Sequence, residues 1–181
     1  MSDRKEFRDL TEPAKAHEAI ASLNLEPDPG TVALADARGR ILAERVDADL
    51  DVPGFDRASM DGYAVRAGDT FGADEADPAT LDLAGEVHAG SEPDVFVDAG
   101  ECAEISTGAV LPDGADAVVM VEKTDEAVGE QGAVEIRTSV APGDHVMPAG
   151  ADIAAGQRAL GPGTELTPRK IGLLSALGRD E

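Results

Sequence analysis

Three short turns in this sequence bring acids and hydroxyls up against glycine, and each could do chemistry. The first is Ser59-Met60-Asp61-Gly62-Tyr63, inside PGFDRASMDGYAV. A carboxylate turned outward at a strand start can hold a hard cation or orient a hydroxyl. Gly62 is read as the residue that turns Asp61 outward, because glycine adopts backbone angles closed to other residues. The second is Ile105-Ser106-Thr107-Gly108-Ala109, followed by Pro112-Asp113-Gly114-Ala115-Asp116. Adjacent hydroxyls before a glycine can present O–H and backbone N–H donors to an anion. The third is Gly150-Ala151-Asp152-Ile153. Each turn also has a plainer reading, and on local spacing alone the plainer one is commoner. These are an Asp-Gly turn, a strand running into a Pro-Asp-Gly turn, and a tight connection between short strands.

Other constellations are missing. The sequence has no Walker-type phosphate loop and no GxGxxG after a strand. Three scattered His and a single Cys do not make a structural zinc site. His17 reads as a solvated helix residue, and His88 and His145 lie near turns. Cys102, between Glu101 and Ala103, reads as buried packing in a strand and has no partner for an intramolecular disulfide.

The elements that must position the three turns change character along the chain. Glu12 to Leu23 reads as a helix with Ala16, Ala19, Ile20 and Leu23 on one face, capped by Thr11, with Pro13 in its first turn. Pro27 to Gly30 breaks the chain, Thr31 to Leu34 reads as a short strand, and Ala37 to Arg45 as a helical or turn segment. Strands are expected at Tyr63–Arg66, Leu81–Val87, Val95–Val97, Ala103–Ser106, Ala117–Glu122 and Val134–Thr138. Loops are expected at Thr70–Thr80 and Gly129–Gly132. Regular short strands with turn punctuation indicate a barrel-like β-domain. After a turn at Ala141–Asp144, Thr167-Pro168 opens a final helix with Ile171, Leu174 and Leu177 as its stripe and Gly178 as its stop. The expected fold class is α+β. A mainly β second domain (48–140) is inserted into a discontinuous first domain (1–47 and 141–181) with helices at both ends; a single α+β domain is the alternative.

Composition narrows the partners. The 181 residues carry 37 Asp and Glu against 15 Lys and Arg, a net charge of −22. Phosphate backbones need a basic patch, so the balance argues against nucleic acid. The acids are spread along the chain, with few Lys and much Ala and Gly, which reads as a halophile-like surface adapted to high salt; a merely acidic protein is the plainer alternative. Hydrophobic residues make up 42% and aromatics only 3%, so a core must be built from Val, Ala, Leu and Ile. No stretch approaches the ~20 apolar residues of a membrane span, and no apolar leader follows Met1, so a cytoplasmic protein without a membrane partner is expected.

Taken together and in order, the three turns carry a resemblance. DVPGFDRASMDGYAVRAGD (51–69), EISTGAVLPDGADAVVMVEKT (104–124) and GADIAAGQRALGPGTELTPRKIGLLSALG (150–178) resemble the N-terminal half of the molybdopterin molybdenumtransferase family, the MoeA and gephyrin E-domain group. The resemblance runs from about Lys15 to Gly178. It implies molybdenum cofactor biosynthesis by a transferase: molybdate enters the dithiolene of adenylated molybdopterin, AMP leaves, and Mg2+ is required. By motif matching, Asp61 and Thr107 are the implied catalytic residues. Ser59, Thr107, Glu122 and Asp152 are implied on the substrate side, and Asp61 and Asp152 as Mg2+ ligands. Tyr63 and Phe55 would pack the motif.

Two departures accompany the resemblance. The family is commonly Arg-rich just before its GEDI motif, whereas the run here is His145-Val146-Met147-Pro148-Ala149-Gly150-Ala151-Asp152-Ile153, with Ala151 in place of Glu. Family members also continue into a third, α/β domain that carries the pterin pocket and most basic molybdate ligands. The expected partners are therefore a homodimer, a third-domain region of the same or a partner chain, and small anionic substrates. The competing expectations are a non-catalytic binding, scaffold or dimerisation module of that family, and a degenerate paralogue without activity.

Overall fold

The computed structural model of the chain describes residues 11–23, 25, 27–127 and 132–181. The described residues form two units, one within Met1–Val32 and one spanning Ala33–Glu181. The first unit holds helix α1 (Pro13–Ala21), with Glu12 rather than Thr11 at its N-cap and no side-chain cap. Pro13 occupies the first turn as expected, but no residue of α1 is buried, and Ile20 is 66% exposed. His17 is exposed, with its Nδ1 2.8 Å from the Pro13 carbonyl oxygen.

In the second unit the strands are β1 (Val46–Asp47), β2 (Arg57–Ala58), β3 (Gly62–Val65), β4 (Ala79–Val87), β5 (Glu101–Ile105), β6 (Ala117–Met120), β7 (Thr124–Glu126), β8 (Ala133–Ile136), β9 (Val146–Met147) and β10 (Arg158–Leu160). Helix α2 (Pro168–Ala176) closes the chain. The main sheet runs in the order β6-β3-β5-β4-β8-β7, antiparallel except for the parallel β4–β5 pair. Its two outer strands, β6 and β7, are joined by the single 3-10 turn Val121–Lys123. Laid flat, the outer strands would stand ~24 Å apart at ~4.8 Å per strand. The four residue steps from Met120 to Thr124 reach at most ~14 Å. The sheet must therefore curl, and the result is a half-barrel, which is how the barrel-like expectation is met.

Alternation fills both faces. Val65, Leu81, Cys102, Val119, Val134 and Ile136 point to one side and form one core cluster, with Tyr63 packed against it. Ala64, Ala103, Ile105 and Val118 point to the other side and pack with Val87 and Val97. Two-sided burial explains why these strands read as continuous Val and Ala runs. Cys102 is fully buried in β5, and burial first, then the charges of Asp82 and Glu101, pushes its thiol up to about 12. This is the inert packing residue the sequence suggested.

Several expected elements differ. Val95–Val97 is not a strand: it belongs to the crossover that the parallel β4–β5 pair requires, and Val97 N–H donates to the Asp113 carbonyl at 2.9 Å. Thr31–Leu34 is not a strand either; a 3-10 turn occupies Leu34–Asp36. Ala37 to Arg45, expected as helix or turn, takes the turn form, and the strand expected to reach Glu122 stops at Met120. Residues 129–131 of the expected hairpin loop lie outside the described residues.

The flanks of the sheet pair with each other across long sequence separations. β1 pairs with β10, Val52 bridges Ile153, and Ile41 bridges Glu165. Ala48, Ile153 and Leu177 form a separate buried cluster. Thr167 sits at the α2 N-cap without a side-chain cap bond, and Pro168 follows in the first turn. Leu174 and Leu177 are buried as the stripe predicts. Gly178 ends the helix at φ 72°, with its N–H donating to Ser175 O at 3.0 Å and Arg179 N–H donating to Leu174 O at 2.9 Å. That is a Schellman ending, which needs the left-handed conformation glycine allows. Among the described residues, no helix is long and apolar enough to cross a membrane.

Candidate functional site

The carboxylate of Asp61 projects at the start of β3, and two donors from one residue hold it. Thr107 N–H donates to Asp61 Oδ1 at 2.7 Å, and Thr107 Oγ1–H donates to the same oxygen at 2.8 Å. These two bonds, the backbone one first, hold the Asp61 carboxyl below its ordinary value of 3.8. Each favours the charged form more than the small burial disfavours it. Both residues are exposed to solvent, so the sequence motif around Asp61 and the TGA motif around Thr107 meet at the rim of the half-barrel.

The backbone that carries Asp61 is fixed by close approach. A Cβ on Gly62 would stand 1.9 Å from the Val119 carbonyl oxygen, so β6 can lie against β3 only where the side chain is absent. Gly62 is not in the left-handed region that Gly39, Gly72 and others occupy. The reason for glycine here is therefore space against a neighbouring strand, not the turning of Asp61 outward by special backbone angles. Val121 N–H donates to the Asp61 carbonyl at 3.1 Å, which ties the seam turn to the same point. Glu122 is exposed on that seam turn, next to Val121.

Ser59 is otherwise engaged. Its hydroxyl and its N–H both donate to the His145 carbonyl, at 3.0 and 2.9 Å. His145 holds φ at 57°, an uncommon backbone for a non-glycine residue, at the point where its carbonyl accepts both Ser59 bonds. Tyr63 packs against the core cluster, whereas Phe55 is 43% exposed and does not bury itself in the motif.

Asp152 lies on a different loop and is held differently. Its Oδ2 stands 3.7 Å from Arg57 Nη2, an ion pair too long to count as a hydrogen bond. The loop itself is fastened through its backbone. Gly150 N–H donates to Pro53 O at 2.8 Å, Asp152 N–H to Val52 O at 3.0 Å, and Ala149 N–H to Asp56 Oδ1 at 2.8 Å. Asp51 Oδ1 likewise accepts from Ala155 N–H at 2.8 Å.

Sequence reasoning missed three of these residues. Asp51 and Asp56 look like two more surface acids, yet they act as acceptors that anchor the third motif to the first. Arg57 had a visible signal: it is the lone basic residue between Arg45 and Arg66 in an acidic stretch. Among the described residues, no three His, Cys, Asp or Glu side chains converge to hold a metal ion. A depression of about 430 Å³ lies elsewhere, lined by Asp56, Leu111, Asp116 and Val146 among others, and none of the five sequence-derived candidates lines it.

Comparison with known proteins covers most of the chain. A family profile described as the MoeA N-terminal region (domain I and II) matches residues 11–178. Molybdopterin molybdenumtransferase 2 of Mycobacterium tuberculosis (strain H37Rv) is 42% identical over 153 residues, covering 84% of this chain and 37% of that protein. The molybdopterin molybdenumtransferase of Nostoc sp. (strain PCC 7120) is 39% identical over 157 residues, covering 87% of this chain and 35% of the relative. The solved molybdopterin biosynthesis MoeA protein of Pyrococcus horikosii superposes with a TM-score of 0.80 at 42% identity, over 95% of this chain and 43% of that one. The chain thus spans well under half the length of the relatives it matches.

Proposed function

This chain belongs to the MoeA N-terminal region family, and from that premise we propose that it forms one wall of a molybdopterin molybdenumtransferase site. Molybdate would be inserted there into adenylated molybdopterin with release of AMP. The observation that carries the reading is the Asp61–Thr107 pair: an exposed, ionised carboxylate, held on one oxygen by two donors and presented at the rim of a rigid sheet.

The depressed acidity decides between roles for Asp61. A carboxylate stabilised in its charged form is a poor proton acceptor near neutral pH. Orienting a water at the phosphoanhydride, or holding a cation, suits it better than general base catalysis. In that step a water oxygen bonds the adenylate phosphorus, the bond to the bridging oxygen breaks, and that oxygen leaves with the pterin phosphate. The water proton passes to solvent or to the leaving phosphate. Both Thr107 bonds fall on Oδ1, which leaves Oδ2 to face the ligand.

Mg2+ is compatible with this donor set, because such sites are commonly built from one or two carboxylates plus substrate phosphates and waters. Asp61 Oδ2 would hold it, and the ion would supply charge neutralisation at the phosphates. Asp152 already has Arg57 as counter-charge, and we place it on the substrate side together with Glu122. Ser59, bonded to His145, would act by shaping the approach to Asp61. The flanking pair β1–β10 supports a discontinuous first domain around an inserted β-domain at 48–140, whereas Val52, which bridges Ile153, belongs with the first domain by its pairing. A net charge of −22 repels the anionic substrates, so a cationic wall must come from a third-domain region of the same or a partner chain, in a homodimer.

The test combines this chain with the remaining portion of a family member and follows AMP release from adenylated molybdopterin with molybdate and Mg2+. Release by the mixture, reduced in Asp61→Asn at unchanged thermal stability, supports the reading. An equal loss of release and stability would remove Asp61 from the chemistry. The same chain charge favours the second reading, a scaffold or dimerisation module, and that reading expects no AMP release from the mixture.

A further inference from the structure

Arg57 stands where the three motifs cross. Its backbone pairs with Met147 on β9 and bridges Val110 beyond the TGA turn, so one residue ties together three distant segments of the chain. The neighbouring bonds reinforce the crossing: Ala58 N–H donates to Ala109 O at 3.0 Å and Gly108 N–H to Ala58 O at 2.8 Å. The side chain then reaches toward the third motif. Nη2 lies 2.9 Å from Met147 Sδ and 3.7 Å from Asp152 Oδ2. Met147 Sδ accepts from the guanidinium and fixes its direction, and the direction it fixes is toward Asp152.

We propose that Arg57 is a positioning residue for Asp152. It holds the carboxylate by charge across 3.7 Å rather than by a hydrogen bond, and so leaves both carboxylate oxygens able to accept from a ligand. This arrangement answers a local need. The run from His145 to Asp152 contains no Arg or Lys, so the permanently charged cation beside Asp152 comes from β2. The pair is partly exposed, 31% for Arg57 and 64% for Asp152, which marks it as a directional tether more than a source of stability.

The inference rests on the reading of Asp152 as a substrate-side carboxylate. Its test is therefore run on the 181-residue chain without substrate, where failure is separable from failure of the AMP-release assay. Amide hydrogen exchange is followed for Gly150, Asp152 and Ile153, whose N–H groups have defined backbone acceptors. Arg57→Met, which keeps the length but not the charge, should speed exchange in this loop by up to roughly fivefold, the ratio a partly exposed ion pair can hold. Arg57→Lys should restore most of the protection. Asp152→Asn should reproduce the Arg57→Met result, and the double variant should add nothing. Unchanged exchange in Arg57→Met would overturn the proposal. So would additive effects in the double variant, or faster exchange spread over β3, β5 and β6, which would mean that Arg57 only supports the fold.

Discussion

Asp61 and Asp152 are both exposed carboxylates from matched motifs, yet the chain holds them by opposite means. Asp61 grows from a strand whose flanking glycine touches the next strand, and two short hydrogen bonds converge on one of its oxygens. Asp152 grows from a loop fastened through its backbone, and its side chain answers only to a charge 3.7 Å away. Directional bonds fix an angle and resist salt; a charge pair across that gap fixes a neighbourhood and yields to salt. The first design suits a group that must keep one orientation. The second leaves its carboxylate room to turn.

The sharpest way to break the rigid end is at Gly62. Gly62→Ala places a methyl group 1.9 Å from a backbone oxygen, so β3 and β6 must separate. A loss above about 3 kcal/mol, or failure to fold, is expected in urea unfolding. A near-normal midpoint would show the sheet more yielding than the geometry implies.

Thr107 separates the two bonds on Asp61. Thr107→Val removes the hydroxyl donor and keeps the amide, so the Asp61 carboxyl should titrate closer to its ordinary value; Thr107→Ser should not move it. Nuclear magnetic resonance titration of Asp61 reads both. Identical curves for Val and Ser would assign the whole effect to the amide. The stability consequence has a definite sign. A folded-state value depressed below the unfolded one contributes stability that is fully present above the unfolded value of 3.8 and is lost as pH falls through the folded one. Urea midpoints for Asp61→Asn should therefore fall less steeply below about pH 4 than those of the parent chain.

Salt gives the smallest and most diagnostic contrast. Raising it from about 0.1 M to about 1 M shortens the Debye length from about 10 Å to about 3 Å. The melting temperature of a −22 chain should rise as self-repulsion is screened. Over the same range the Arg57–Asp152 tether should weaken, seen as loop exchange in the parent approaching that of Arg57→Met, while the difference in Asp61 titration between the parent and Thr107→Val barely moves. A melting temperature that falls with salt would argue against the high-salt adaptation read from composition.

The half-barrel was legible because β3, β4, β5, β6 and β8 carry Val, Ala, Leu and Ile runs bounded by Gly, Pro and Asp. The pairs β1–β10 and β2–β9 were not legible. Each strand is only two or three residues long, too short to show a period, and finds its partner far along the chain. Val95–Val97 misled because an apolar run covering a sheet looks like a run within one. At the site, Asp61 and Thr107 were named from separate motifs, and only the fold shows one gripping the other. Gly62 was identified for the wrong property, since close approach to Val119 leaves no trace in local sequence. Asp51 and Asp56 were invisible as anchors because their acceptor role depends on amides about a hundred residues away.

The three-residue seam between β6 and β7 also bears on the two edges of the sheet. An open sheet leaves two rows of unpaired N–H and C=O groups, each a template on which another chain can add a strand. Here the seam joins the two outer strands through a single 3-10 turn, and the exposed Asp125 places a carboxylate on β7. Among the described residues the six-stranded sheet is the largest regular element, and drawing its outer strands together leaves less of either edge open to an added strand; an insertion at Val121–Lys123 should loosen that closure.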